Sequence, residues 1–503
     1  MSVEQSLSEM IPNSGLDTAS VTVAGLREAM SSGRLAAAEL TSFYLGRIER
    51  LNDALGAVIS VSADAAAQAT AIDAARSAGA GQGPLAGIPI LIKDNISAEG
   101  SPATAGSPAL EHAEAKDAFI VGKLRAAGAV ILGKANLSEW ANFRSAHSTS
   151  GWSTLGGQAI NPHGTGRNPS GSSSGSGVAM AAGLAALTIG TETDGSVISP
   201  SNNCGIVGIK PTLGLVSRTG IVPISSAQDT AGPMTRCVAD AAVLLGVIAG
   251  LDPGDPATED TPDGRSAPGS IHADYTQFLD PAALTGARIG IWRAGASDAV
   301  PGAVEVLDRA VSVLRTHGAV IVDPVELPGA ENIGKPEFTA LGCEFKDDLN
   351  AYLAGLGGEH PMSLEELIEF NSVNNARVLA RFGQEIFIQA QQTGGRSDPV
   401  WKEARDEARR LARSALNSAL AEHSLDAVVT LSGNPAWLTD YVLGDHVTVG
   451  TTSPAAVSGY PSLTVPAGYV DGLPVGISFT GPAWSEPKLL ALAYAFEQGR
   501  SLR

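Results

Sequence analysis

Cysteine is scarce in this chain: Cys204, Cys237 and Cys343 are the only three in 503 residues. They are too few and too scattered for a disulfide framework or a paired-cysteine metal site. Their small or apolar neighbours predict buried thiols. The eight histidines show no HExxH and no other metal-ligand spacing, so neither a metal nor another cofactor is expected. No apolar run approaches the roughly 18 residues that a membrane span requires. Basic residues are also in short supply, 33 against 52 acidic ones, for a net charge of −19. Such a surface repels phosphate backbones and anionic lipids, which argues against nucleic-acid and membrane partners. Met1 to Thr18 has no basic stretch followed by an apolar one, so the sequence as written reads as cytoplasmic; a longer, exported precursor is compatible with it.

What is abundant is glycine, 58 residues, on a background of 44% hydrophobic and 17% charged residues. That composition is globular, with many turns and close backbone approaches. Leu40, Tyr44, Ile48 and Leu51 share one face of a helix predicted over Ala36 to Leu51. The short apolar run Ile88-Pro89-Ile90-Leu91-Ile92 predicts a buried strand that ends at Lys93-Asp94-Asn95. Asn136 and Glu139 have capping-box spacing and predict a helix through Trp140, Ala141 and Asn142. A helix over Val178 to Leu187, small and apolar on every side, should be buried and closely packed.

Leu124-Arg125 to Ile131 and Leu314-Arg315 to Ile321 share one phrase, helix, then glycine, then a β-branched strand; shared punctuation explains it better than duplication. Asp252 to Ser270, rich in Pro, Asp and Gly, predicts an exposed excursion. Helices dominate Pro361 to Glu422, opened by a capping box at Ser363 to Glu366. Strands and turns follow over Pro461 to Phe479. Alternating strands and helices imply an α/β fold.

Two serine-rich segments stand out, Gly171-Ser172-Ser173-Ser174-Gly175-Ser176 and Thr191-Glu192-Thr193-Asp194-Gly195-Ser196. A buried helix between them would hold both in place, unlike a flexible linker. The first also matches G-x-S-x-G, which would make Ser173 the nucleophile of a Ser-His-Asp hydrolase with His423 or His446 as base. A nucleophile elbow follows a buried strand, however, and Asn161 to Ser170 is polar with two prolines. A serine hydroxyl needs a partner to take its proton. Lysine can do so only when neutral, and burial favours that form. The run Ile88 to Ile92 delivers Lys93 into such surroundings; the competing reading pairs Lys93 with Asp94 in a salt bridge.

These segments, with Gly87 to Asn95, Lys210-Pro211-Thr212 and Gly472-Leu473-Pro474-Val475-Gly476, resemble the amidase signature family over nearly the whole chain and in the right order. The resemblance implies an α/β fold with a large central mixed sheet covered by helices on both faces. It implies one domain over 1–503, with an N-terminal helical segment at 18–55 and a more helical insertion at about 330–425. It also implies Lys93, Ser172 and Ser196 as the catalytic trio, with a cis Gly171–Ser172 bond. Main-chain N–H groups of Thr193, Asp194, Gly195 and Ser196 would form the oxyanion hole.

Two departures are visible: Ser174 stands where many members have glycine, and Asp194 takes the place of one of two glycines before the nucleophile. Asp194, Asn136 to Arg144, Asp229 to Met234, Glu344-Phe345-Lys346 and Ala483 to Lys488 resemble the peptide amidase branch. That likeness implies hydrolysis of C-terminal carboxamides of peptides, with Trp140, Asn142 and Ser173 as substrate-binding candidates and a monomer or homodimer as the working form. A general aliphatic or aryl amidase and the A component of a tRNA-dependent amidotransferase are the other activities the family offers.

Overall fold

Strands that are apolar or small at every position have two faces to cover, which calls for a sheet sandwiched by helices. In the computed structural model, which describes residues 8–80, 83–259 and 271–500, eleven strands form one mixed sheet. In chain order they are β1 (Val58–Val61), β2 (Pro89–Lys93), β3 (Val130–Ala135), β4 (Leu187–Glu192), β5 (Val207–Lys210), β6 (Thr230–Thr235), β7 (Arg288–Ile291), β8 (Val320–Val322), β9 (Ala427–Leu431), β10 (Ser462–Val470) and β11 (Leu473–Thr480). Their spatial order is β8-β7-β9-β11-β10-β5-β6-β4-β2-β3-β1. Every residue of β2, β3, β4 and β9 is buried, and helices cover both faces, as the α/β reading requires.

One local arrangement sets the rest. β2 runs parallel to β4, with Ile92 opposite Ile189, and parallel to β3 on its other side. The carboxyl ends of β2 and β4 therefore reach the same edge of the sheet. In open α/β sheets that edge is where ligands bind.

The helix α1 (Ala37–Leu55) buries Leu40, Tyr44 and Ile48 as predicted and runs one turn further, to Gly56 at φ 56°. The shared helix-glycine-strand phrase is punctuation: Gly128 (φ 84°) and Gly318 (φ 94°) end helices that feed β3 and β8, toward opposite edges of the sheet. Ser363 accepts from Glu366 N at 3.2 Å, the predicted cap of the helix Leu364–Val373. The long helices α4 (Gly334–Ala354) and α5 (Pro399–Glu422) pack on each other in the helix-rich region.

Other expectations need correction. The buried helix α2 spans Ser174–Ala181, shifted toward the serine-rich loop. Its serines find partners inside the protein: Ser174 Oγ donates to Ser170 O at 2.6 Å and Ser176 Oγ to Ile189 O at 2.9 Å, so the polar segment can continue into a buried helix. The helix predicted through Trp140 is instead a tight turn, with Trp140, Ala141 and Asn142 at φ 52°, 53° and 68°. Its capping residues are engaged elsewhere, Asn136 with Gly56 O and Glu139 with Arg144 and Thr154 N. Asp252 to Glu259 is pinned to the body, with Ser217 donating to a buried Asp252 and Arg218 paired with a buried Asp255; 260–270 lie outside the described residues. Cys204 and Cys343 are buried, whereas Cys237 is only half-buried.

Gly175 in α2 is closely hemmed in: a Cβ there would lie 2.4 Å from Ala57 O, Asn136 N and Asn136 O. All three are main-chain atoms and cannot rotate away. Gly175→Ala should lower stability by about 3 kcal/mol, at the upper end of overpacking effects. Gly122→Ala, whose Cβ would meet nothing within 4 Å, should be neutral or stabilising by up to about 1 kcal/mol in its helix. Denaturant midpoints of the two variants measure the contrast.

Candidate active site

Because β2 and β4 end side by side, Lys93 emerges next to Thr191. The Lys93 amine is fully buried and contacts Ser172 Oγ at 2.7 Å, Thr191 Oγ1 at 2.8 Å and Thr191 O at 3.2 Å. Asn95 Nδ2 donates to the same Thr191 hydroxyl at 2.9 Å. A neutral amine has two N–H groups and one lone pair. The carbonyl takes one N–H, and the two hydroxyls share the other N–H and the lone pair, so the contacts are satisfied without a positive charge.

Desolvation pulls the Lys93 pKa down to about 7, opposed only in part by the carboxylates of Asp229 and Glu192. No salt bridge joins Lys93 to Asp94. Successive strand residues point to opposite faces, and Asp94 Oδ1 instead faces the buried Lys134 Nζ at 3.5 Å.

Ser172 follows a cis Gly171–Ser172 bond, and its carbonyl accepts from Ser138 N at 3.0 Å. Ser196 follows Gly195 at φ 77°, a conformation suited to glycine. Glu192 Oε2 accepts from Val197 N at 2.8 Å and Ile198 N at 3.0 Å, fixing the turn to the start of α3 (Ile198–Cys204). Ser173 N donates to Ser196 O at 3.1 Å, which ties the two serine-rich segments together. Among the described residues, Ser196 Oγ has no hydrogen-bond partner, and the main-chain N–H groups of Asp194, Gly195 and Ser196 donate to no protein acceptor. The hydroxyl-to-hydroxyl link between Ser172 and Ser196 is not made here; such bonds often tighten only when substrate arrives.

Ser196, Gly195, Asp194, Thr193 and Gly171 line a cleft of about 520 Å³, with Phe143, Phe338, Leu341 and Ile386 on its apolar walls. Asn142 lines it too, and its Oδ1 is buried without a partner. Trp140 does not line it: the indole is buried against Phe387, with ring centroids 5.7 Å apart. Ser173 is fully buried, its hydroxyl bonded to Thr191 O and Thr191 N at 3.0 and 3.1 Å, in no position to act as an elbow nucleophile. His446 pairs with Asp440 and His423 lies beside Glu422, and neither is bonded to Ser173.

Residues 39–490 match the Amidase family model. This chain belongs to the amidase signature family. The amidase resembles the crystal structure of the native peptide amidase from Stenotrophomonas maltophilia, at 48% identity and a TM-score of 0.91, covering 96% of this chain and 97% of that one. A structure of peptide amidase PAM with the competitive inhibitor chymostatin matches equally, at 48% identity and a TM-score of 0.91 over 95% and 97% of the two chains. A probable amidase of Arabidopsis thaliana is 40% identical, over 96% of this chain and 90% of its own. The A component of the glutamyl-tRNA(Gln) amidotransferase of Symbiobacterium thermophilum is 34% identical, over 95% and 96%. No helix among the described residues is long and apolar enough to cross a membrane.

Several residues of the site gave no signal as such in the sequence. Thr193 Oγ1 donates to Asp229 at 2.5 Å, and burial raises that carboxyl to about 6. Glu337 of α4 meets Asp194 on the cleft wall; burial raises both carboxyls, and the charge of Asp194 raises Glu337 further, while hydrogen bonds hold Asp194 partly down. Asp229 stood in a family-like phrase, whereas Glu337 lies in a helix whose sequence marks no function.

Only the free amine of Lys93 can accept a proton, and its fraction rises with pH through about 7. kcat/KM should therefore fall about tenfold per pH unit below that value and level off above it. A profile flat from pH 6 to 8 would exclude Lys93 as the titrating base.

Proposed function

We propose that this amidase hydrolyses the C-terminal carboxamide of peptides, releasing ammonia and a peptide acid. Ser196 Oγ attacks the carbonyl carbon while its proton passes to Ser172, whose own proton moves to the neutral Lys93. The developing oxyanion is held by the unpaired N–H groups of the turn Thr193 to Ser196, which act without reorganising. Collapse breaks the C–N bond; Lys93 returns its proton through Ser172 to the nitrogen, and ammonia leaves. Water then attacks the acyl ester, losing a proton through Ser172 to Lys93; the ester C–O bond breaks and the proton returns through Ser172 to Ser196 Oγ.

The observation that carries this reading is the buried amine at hydrogen-bond distance from Ser172, beside a serine hydroxyl left free in a cleft. The preference for peptides is supported by the size of the cleft, about 520 Å³ with aromatic and aliphatic walls, which gives room to residues preceding the carboxamide. Asn142 Oδ1, buried and unpartnered on the cleft wall, offers an acceptor for the carboxamide N–H. Likeness to the peptide amidase structures at 48% identity favours the same substrate class. The likeness to a probable amidase favours a second reading, turnover of small aliphatic or aryl amides.

Ammonia release from a panel of amidated peptides, set against acetamide and benzamide, separates the two readings. We expect the peptide amides to be turned over at least tenfold faster in kcat/KM. Ser196→Ala should reduce release to background, and Lys93→Ala should reduce kcat by about 10²–10⁴, the range for a lost general base. Turnover of the small amides alone would overturn the peptide assignment.

A further inference from the structure

In the turn before Ser196, the main-chain oxygen of Thr193 is held from outside by a side-chain amide. Gln228 Nε2 donates to Thr193 O at 3.0 Å and to Glu337 Oε1 at 2.6 Å, while Gln228 Oε1 accepts from Arg405 Nη1 at 2.8 Å. The two ends of an amide have nearly the same shape, so something must decide which faces the turn. Arg405 decides it, because a guanidinium only donates and therefore takes the oxygen. Arg405 is held in turn by Glu344, which also accepts from Trp401 Nε1 at 2.9 Å and Ser225 Oγ at 2.6 Å. Gln228, Glu337, Glu344 and Arg405 are all buried, where such bonds are strong and a missing one is costly.

The peptide bond between Thr193 and Asp194 is trans, so its C=O and N–H point in opposite directions in one plane. Fixing Thr193 O against Gln228 therefore fixes the aim of Asp194 N–H, which has no acceptor among the described residues. We propose that Gln228 is a positioning residue for the oxyanion hole, with Arg405 setting the orientation of its amide. The proposal rests on the reading of Ser196 as nucleophile and goes beyond it by assigning the alignment of the hole to a side chain that touches no substrate.

Gln228→Met keeps the side-chain length and removes the donor. Gln228→Glu keeps the acceptor for Arg405 and, when ionised, also lacks the donor, so it guards against a fold lost through the unpaired arginine. Removing an oxyanion donor outright lowers kcat by about 10²–10³. A misaimed donor retains part of its effect, so kcat should fall by about 10–100-fold in both variants, with KM changing less than threefold. The affinity of a peptidyl trifluoromethyl ketone, which forms a tetrahedral adduct on a serine, should fall by the same factor as kcat/KM. The affinity of an N-methyl peptide amide that binds without reacting should stay within threefold.

A merely structural role would weaken both ligands together. Wild-type kcat in the two variants, equal loss of both ligands, or a fall in kcat with full ketone affinity would each overturn the proposal. Ser196→Ala measured alongside separates the two layers: residual turnover there defeats the nucleophile assignment, whereas a dead Ser196→Ala beside a normal Gln228→Met defeats this inference alone.

Discussion

An amine that burial makes easy to deprotonate, enclosed by protein and bonded to a serine hydroxyl, is the constraint around which this fold is arranged. Keeping lysine neutral near pH 7 requires the removal of water on every side, and water can be removed only if each polar contact of the amine is replaced. The parallel pair β2 and β4 does both. Its closely buried strands exclude solvent, and their shared edge brings the hydroxyl and carbonyl of Thr191 to Lys93. Nearby carboxylates would spoil the arrangement if they formed direct pairs with the amine. Asp94 is drawn off by Lys134, and Glu192 is occupied by the main chain at the start of α3.

The nucleophile side of the site depends on close backbone packing. α2 places the serine-rich loop against β2 and β4, and it can do so only with small residues facing its neighbours. Ser174, where many family members have glycine, fits because its hydroxyl folds back onto Ser170 O. Asp194, in the place of another glycine, fits with its carboxyl facing Glu337 and accepting from Ser453 Oγ at 2.6 Å. Both residues are held by polar contacts of their own.

Sequence reasoning reached those parts of the molecule whose causes are local. The buried run before Lys93 and the helix of α1 follow from apolar spacing, and the trio proposed for catalysis is drawn from family-like phrases that carry the chemistry in their residue types. It failed where a distant partner redirects a local signal. Asn136 and Glu139 have helix-opening spacing, yet Gly56, Arg144 and Thr154 claim their side chains and the chain turns left-handed just after them, at Trp140 to Asn142. Glu337 and Arg405 read as ordinary helical charges, because nothing nearby in the chain shows that they meet Asp194 and Gln228; Glu344 stood in a family-like phrase that did not show its pairing with Arg405.

The helix-rich stretch from α4 to α5 sends three buried polar side chains beneath the nucleophile turn, and this bears on how such an enzyme can be recombined. A region with the look of a detachable covering module is wired into the chemistry through Gln228. Exchanging it for the matching piece of a relative would import a different set of struts under the reacting centre. Chimeras joined at the ends of this stretch would thus inherit altered turnover along with any altered specificity, unless the segment around Gln228 travels with it.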